Sequence, residues 1–136
     1  MSLEIQQSTQ EGIAVLTMTG RLTVSESNVL RESVSKCMAE GSNRIVLDLT
    51  KLDYIDSTGL GTMVICQTSL SKQGGAAKLV NPNKRNVDLL LLTKLHSVFE
   101  VFNEVPDAVN SFIPGRQIKR FDILRFVQQN TEDDDD

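Results

Sequence analysis

Hydrophobic and polar positions follow two periods along the chain, and the order of these periods predicts an α/β fold. Residues 3–10 and 13–19 are typical of strands, the second of them with a strong period of two, and Glu11-Gly12 between them predicts a β-hairpin. Thr23 and Glu26 then match a capping box, which predicts a helix from residue 23 to about residue 41. The expected buried stripe of this helix is Leu30, Val34, Cys37 and Met38.

Strands and helices alternate through the rest of the first 112 residues. A short apolar run at 44–49 predicts a strand that is covered on both faces at the centre of the sheet. The later predicted elements are a helix at 57–73 (although 62–66 has the composition of a strand), a strand at 77–80, a helix at 84–95, a strand at 98–102 and a helix at 104–112. This order predicts a mixed β-sheet packed against about four α-helices, in one domain over residues 3–112.

A C-terminal extension, residues 113–136, follows this domain. Its residues 117–129 predict an amphipathic helix, although 121–127 is also compatible with an extended segment; the apolar stripe would be Ile118, Phe121, Leu124 and Val127. Such a stripe needs a cover, which is the domain itself, a second copy of the chain in a homodimer, or an anionic membrane surface. We expect docking on the domain first and dimerisation second, because the acidic run at 132–136 opposes binding to anionic lipid.

Charge and composition narrow the classes of function. The formal net charge is −4, but residues 132–136 alone carry five negative charges, so residues 1–131 are close to neutral. No broad basic surface for nucleic acid and no apolar run long enough to span a membrane is expected. The first residues do not match a signal peptide, which favours a cytoplasmic protein. Cys37 and Cys66 have no neighbour at metal-ligand spacing and are expected to be buried, reduced thiols.

The segment 53–61 carries the pattern with the most functional content. Asp56, Ser57 and Thr58 all suit a helix N-terminus, yet Gly59 and Gly61 follow within the first turns, where each costs roughly 1 kcal/mol relative to alanine. The glycines allow close approach either of a partner or of a neighbouring strand of the domain. A phosphate on Ser57 would suit the helix N-terminus and would add about −1.5 to −2 charges beside Asp56, which would expel a partner fitted to the neutral hydroxyl.

The sequence does not contain the residue patterns that a serine hydrolase or a metal-dependent enzyme would need. A serine hydrolase built on Ser57 would require a Gly-x-Ser-x-Gly turn and a histidine base, whereas Ile55 stands two residues before Ser57. His96 is the one histidine and is expected to be a cap or a partly buried polar residue at the end of a helix. Asp48 and Asp53 are interpreted as strand-end and turn residues and not as a metal-binding pair. No enzyme activity, cofactor or metal is therefore expected.

Three stretches of the chain resemble the STAS domain, which occurs in bacterial anti-sigma factor antagonists and in the tails of sulfate transporters. They are residues 20–22, residues 45–49 and especially the run from Ile55 to Gly61, and the order of elements agrees over residues 3–112. The resemblance implies that a kinase-type anti-sigma factor phosphorylates Ser57, and that only the unphosphorylated antagonist captures this partner. It also implies a partner-binding surface made of Thr23, Asp56, Thr58, Gly59, Leu60 and Gly61.

One position departs from the family pattern, and one alternative function stays open. Thr23 stands where the family usually has aspartate, which is a mild change for a helix cap but removes a carboxylate from the neighbourhood of Ser57. The alternative is a structural STAS subunit of a stress-sensing scaffold or a lipid-transport complex, in which the same helix end packs permanently on a neighbour and carries no phosphoswitch.

Overall fold

The computed structural model describes residues 3–119, which form five strands and four helices with two short 3-10 turns between them. The strands are β1 (Leu3–Gln10), β2 (Ile13–Leu22), β3 (Arg44–Ile55), β4 (Ala76–Val80) and β5 (Val101–Phe102). The helices are α1 (Ser27–Ala39), α2 (Ser57–Lys72), α3 (Lys84–Leu92) and α4 (Val105–Ser111), and the 3-10 turns are Val24–Glu26 and Leu95–Ser97.

The five strands form one mixed sheet in the order β1-β2-β3-β4-β5. β1 and β2 are antiparallel and joined at Glu11 and Gly12, whose φ angles of 52° and 82° give the left-handed backbone that a two-residue hairpin requires. All other neighbouring strands are parallel, so each connection crosses over the sheet. The predicted hairpin, the mixed sheet and the central place of β3 are confirmed.

β3 is longer than the run at 44–49 that the sequence predicts, because two register shifts against β2 allow it to continue to Ile55. Near the first shift, Asp48 Oδ1 accepts hydrogen bonds from the Thr50 amide at 3.1 Å and from the Thr50 hydroxyl at 2.7 Å. The interpretation of Asp48 and Asp53 as strand-end and turn residues is therefore wrong, since both lie within β3.

The sheet separates two apolar cores. The larger core lies between the sheet and α1, α2 and α3, and the smaller one lies between the sheet and α4. The predicted stripe of α1 is confirmed, because Leu30, Val34 and Cys37 are buried and Met38 packs against them. α2 is helical over its whole length, so the strand alternative at 62–66 is wrong. The smaller core consists of Ile13, Val15, Val46, Val80, Phe102, Ala108 and Val109.

The predicted start of the first helix is wrong by one turn. The chain first makes the 3-10 turn, in which the Thr23 carbonyl accepts a hydrogen bond from the Glu26 amide at 2.9 Å, and α1 begins only at Ser27. No side-chain cap joins Thr23 to Glu26, so the expected capping box does not form. The Thr23 carbonyl also accepts a hydrogen bond from the Ser27 hydroxyl at 3.2 Å, which links the turn to α1.

The region from α3 to β5 contains two further corrections. α3 ends at Leu92, earlier than predicted, because Lys94 adopts the left-handed backbone with φ 63°. His96 therefore lies in a separate 3-10 turn and not at the end of α3, although it is partly buried as expected. The predicted strand at 98–102 shortens to Val101–Phe102, because Val98 still closes the 3-10 turn by donating its amide to Leu95 O at 3.0 Å.

The described start of the C-terminal extension packs on the domain. Ile118, one residue of the predicted stripe, contacts the smaller core together with Phe112 and Ile113. Arg116 forms an ion pair with Glu11 of the hairpin turn. Residues 117–119 are not helical, and the rest of the predicted helix, 120–129, lies outside the described residues. Over residues 3–119, no helix is both long and apolar enough to cross a membrane.

Candidate functional site

The motif predicted as the functional loop lies at the junction of β3 and α2, where Asp56 is the N-cap residue of α2. Its carboxylate accepts hydrogen bonds from two backbone amides, that of Gly59 at 2.7 Å and that of Val24 at 3.1 Å. Its own amide donates to Leu22 O at 3.1 Å. Asp56 therefore ties the start of α2 to the end of β2 and to the turn that follows it, and it fixes the position of the next residue.

Ser57 and Thr58 are the two exposed hydroxyl residues at this end of α2. Ser57 is the first residue of the helix, where the peptide dipoles favour a negative charge. Thr58 lies one residue further on, and its carbonyl accepts a hydrogen bond from the Thr62 hydroxyl at 3.1 Å inside the helix. Both hydroxyl groups are thus accessible, and the geometry alone does not choose between them.

The two glycines of the motif have different surroundings. A Cβ atom on Gly59 would lie 2.4 Å from the carbonyl oxygen of Leu22 and 2.8 Å from its Cγ, so glycine is required there by close packing of α2 on β2. A Cβ atom on Gly61 would meet nothing within 4 Å, and this residue is exposed. The neighbouring strand therefore explains Gly59, whereas nothing within residues 3–119 crowds Gly61.

The expected partner-binding residues differ in how deeply they are buried. Leu60 is only 2% exposed and belongs to the larger core, and Gly59 is buried as well. Both residues serve the packing of α2 within the domain. Thr23 is half-buried and lines a cavity of about 270 Å³ with Arg21, Ser25 and Glu26 beside the loop. The residues left for direct contact are Thr23, Asp56, Thr58 and Gly61, together with Ser57.

A second cavity of about 290 Å³ is lined by Ser57 itself and by residues of α3, and the sequence did not indicate it. Tyr54 forms part of its wall, and the guanidinium carbons of Arg21 and Arg85 lie 4.8 Å and 4.4 Å from the centroid of the Tyr54 ring. The remaining wall residues are Ile55, Asp56, Asp88, Leu89 and Leu92. The two arginines come from different elements, so their convergence on one ring depends on the fold and has no local signal in the sequence.

The described residues provide no set of ligands for a metal ion: in 3–119 no three histidine, cysteine, aspartate or glutamate side chains cluster. Cys37 and Cys66 are buried and unpaired, as expected, and burial raises the pKa of Cys66 to about 11. Burial also raises the pKa of Cys37. The His96 ring is held with its Nδ1 atom buried and without a hydrogen-bond partner. The exposed chemistry of the site is therefore that of hydroxyl groups, carboxylates and guanidinium groups.

Comparison with known proteins identifies the family of this chain. The sequence model of the STAS domain matches residues 4–108. The chain belongs to the STAS domain family. The anti-sigma-B factor antagonist of Bacillus subtilis (strain 168) is 29% identical to this STAS protein over 101 residues, which is 74% of this chain and 92% of that protein.

Two solved structures have the same fold as this STAS protein. The crystal structure of an anti-sigma factor antagonist from Mycobacterium paratuberculosis matches with a TM-score of 0.72 and 19% identity, over 80% of this chain and 92% of that chain. The Bacillus cell fate determinant SpoIIAA in its phosphorylated form matches with a TM-score of 0.63 and 18% identity, over 80% and 99% of the two chains. The predicted fold class and the resemblance to the STAS domain are confirmed.

Proposed function

We propose that this protein is an anti-sigma factor antagonist whose binding is controlled by phosphorylation of Ser57. In the unphosphorylated state it binds a kinase-type anti-sigma factor, and the phosphate ends this binding. The observation that carries the proposal is the exposed Ser57 hydroxyl on a helix end that the Asp56 hydrogen bonds hold in place. The kinship to the Bacillus subtilis antagonist supports the class of partner.

The proposed modification transfers the γ-phosphoryl group of a nucleoside triphosphate to Ser57. A bond forms between Ser57 Oγ and phosphorus while the bond to the nucleoside diphosphate breaks, and the hydroxyl proton passes to a base on the kinase. The product carries about −1.5 to −2 charges at neutral pH next to the Asp56 carboxylate. A partner surface fitted to a neutral hydroxyl then meets a bulky anion, and binding is lost through repulsion and desolvation.

The residues of the proposed contact surface already lie around Ser57 in the unmodified protein. Thr58 and Gly61 are exposed on α2, and Thr23 lies across the loop beside Val24, whose amide is bound to Asp56. Because Thr23 carries no carboxylate, the nearest acidic side chain in its cavity is Glu26. The partner of this protein is therefore expected to place less positive charge opposite position 23 than the partner of a relative with aspartate there.

Binding measurements on substituted proteins test the proposal. Ser57→Ala should bind a kinase-type anti-sigma factor as the wild type does in isothermal titration calorimetry, whereas Ser57→Asp should bind about tenfold more weakly because it brings one charge and fewer acceptor oxygens than a phosphate. Thr68→Asp adds the same charge at an exposed position in the last third of α2 and is the matched control, with unchanged affinity. Equal affinities of all four proteins would instead support a permanent structural contact.

Mass spectrometry locates the modified hydroxyl. After incubation with the kinase and a nucleoside triphosphate, the phosphate should lie on Ser57, and Ser57→Ala should remain unmodified. The adjacent Thr58 is the internal control, because it is also exposed and only one residue away. A phosphate found on Thr58 alone, or full modification of Ser57→Ala, would contradict the assignment.

A further inference from the structure

The cavity between Ser57 and α3 has a cation on its wall, Arg85, which membership of the STAS family does not explain. Arg85 lies in the first turn of α3, and its guanidinium carbon lies 4.4 Å from the Tyr54 ring centroid. Arg21 is the neighbour of Tyr54 in the β2–β3 register and packs on the same ring at 4.8 Å. Cation–π contacts of this kind hold a guanidinium in position and leave its N–H groups free to bind an anion.

The start of α3 is fixed relative to the strand that leads to Ser57. Asn83 caps the helix by accepting a hydrogen bond from the Asn86 amide at 2.9 Å. Its side-chain amide donates to the carbonyl oxygens of Leu52 and Asp53 at 3.3 Å and 3.1 Å, and Asn86 also donates to Leu52 O at 3.2 Å. The distance between the backbone of Arg85 and the end of β3 is therefore set by hydrogen bonds.

Arg85 and Ser57 line the same cavity of about 290 Å³. One water occupies roughly 30 Å³ in the liquid, so this space is about ten times that volume and accommodates a phosphate group on Ser57. The cavity is open to solvent on one side, which allows the modified side chain to turn toward α3.

Among the described residues, Arg85 is the one cation on the wall of this cavity, and no carboxylate neutralises it. Within residues 3–119, neither Arg85 nor Arg21 forms an ion pair with a carboxylate. Asp56 directs both carboxylate oxygens to backbone amides. Asp88 lies on the cavity wall as the second carboxylate, and it opposes a phosphate there. The remaining titratable wall residue is Tyr54.

We propose that Arg85 is the intramolecular counter-ion of a phosphate on Ser57, with the Tyr54 ring and Arg21 holding its guanidinium in position. The planar guanidinium binds two phosphate oxygens at once, which a lysine at this position does not reproduce. The phosphorylated protein then differs from the unmodified one at two points, because the new anion fills the cavity beside the loop and the charge of Arg85 is neutralised. This inference rests on the proposed function for its biological use.

The pKa of the phosphate reports the pairing without any kinase or partner. Phosphoserine is incorporated at position 57 by genetic encoding, and its second ionisation, ordinarily near pH 6, is followed by ³¹P NMR titration of the full chain. The wild type should show a phosphate pKa about 0.5 lower than that of Arg85→Gln, as for an ion pair that is partly exposed. Arg85→Lys should lie between the two.

Two further variants serve as controls. Arg44→Gln removes the same charge from the opposite end of β3 and should leave the phosphate pKa unchanged. Asp88→Asn removes the opposing carboxylate and should lower it. A phosphate pKa in Arg85→Gln equal to that of the wild type would overturn the inference even if Ser57 is the modified residue. Conversely, failure of the kinase to modify Ser57 would refute the proposed function and leave the titration result standing.

Discussion

Replacement of Gly59 by alanine tests whether this glycine serves the fold. The added Cβ would lie 2.4 Å from the Leu22 carbonyl oxygen and 2.8 Å from the Leu22 Cγ atom, both far inside ordinary contact distance. The Leu22 carbonyl cannot move freely, because it accepts the hydrogen bond from the Asp56 amide at 3.1 Å. The substitution therefore forces α2 away from β2 or breaks that hydrogen bond.

The magnitude follows from two opposing effects. Alanine gains up to about 1 kcal/mol over glycine within a helix, while overpacking costs about 1–3 kcal/mol. Because the clash is with backbone, we place its cost at the upper end, which gives a net loss of about 1–2 kcal/mol in Gly59→Ala. Gly61→Ala is the matched control, since its Cβ meets nothing within 4 Å and only the helix gain of about 0.5–1 kcal/mol remains.

Urea unfolding at neutral pH, followed by circular dichroism, measures both variants. Gly61→Ala should exceed Gly59→Ala by about 1.5–3 kcal/mol in the free energy of unfolding. At about 4 °C per kcal/mol for a domain of this size, their melting temperatures should differ by roughly 6–12 °C. If Gly59→Ala is as stable as Gly61→Ala, the close approach of α2 to β2 does not determine the choice of glycine, and the reasoning is refuted.

Three further predictions concern groups outside the loop. The hydrogen bond from Arg116 lowers the pKa of Glu11 in the folded protein. The Glu11–Arg116 pair therefore stabilises the fold above the pKa that Glu11 has in the unfolded chain, and this stabilisation is lost as the pH falls through the pKa of the folded state. Glu11→Gln should accordingly lower the melting temperature at pH 7 but not near pH 2. Burial raises the pKa of Cys66 to about 11, so this thiol should react with a disulfide reagent at pH 8 about a hundredfold more slowly in the folded protein than in urea. Lys78 is buried and contacts Ser111 at 2.8 Å and Glu100 at 3.0 Å; Lys78→Ala should reduce the free energy of unfolding by about 2–3 kcal/mol, and Lys78→Met, which keeps the buried stem, by clearly less. Unchanged stability of Lys78→Ala would show that the buried lysine contributes no packing.

The elements that the sequence predicts well are those whose signal is local. The hairpin depends on two adjacent residues, Glu11 and Gly12, and the stripe of α1 on a periodicity within one helix. The second half of β3 escaped prediction because Thr50, Lys51 and Asp53 are polar. Its strand pairing is restored by register shifts against β2, which is distant in sequence.

The candidate site also contains features with a local signal in the sequence and features without one. Asp56 and Ser57 could be located at the helix end from their neighbours in sequence. The contact of Arg85 with Tyr54 joins residues 31 positions apart and exists only because a crossover returns α3 to the end of β3. The need for glycine at position 59 likewise depends on a residue distant in sequence, Leu22, which packs against it. Local patterns thus indicate where a site lies, and the pairing of distant elements decides what surrounds it.

The hydrogen bonds that hold Asp56 in place have a consequence for the rate at which a partner protein binds. A loop that is already held by the amides of Val24 and Gly59 loses little conformational entropy when a second protein covers it. A partner protein then has to meet the loop in the correct orientation, but the loop itself does not have to rearrange. The association rate depends on the geometry of the collision and on charge. In the proposed switch, the two states of the protein share this preformed backbone and differ by the phosphoryl group on the Ser57 oxygen.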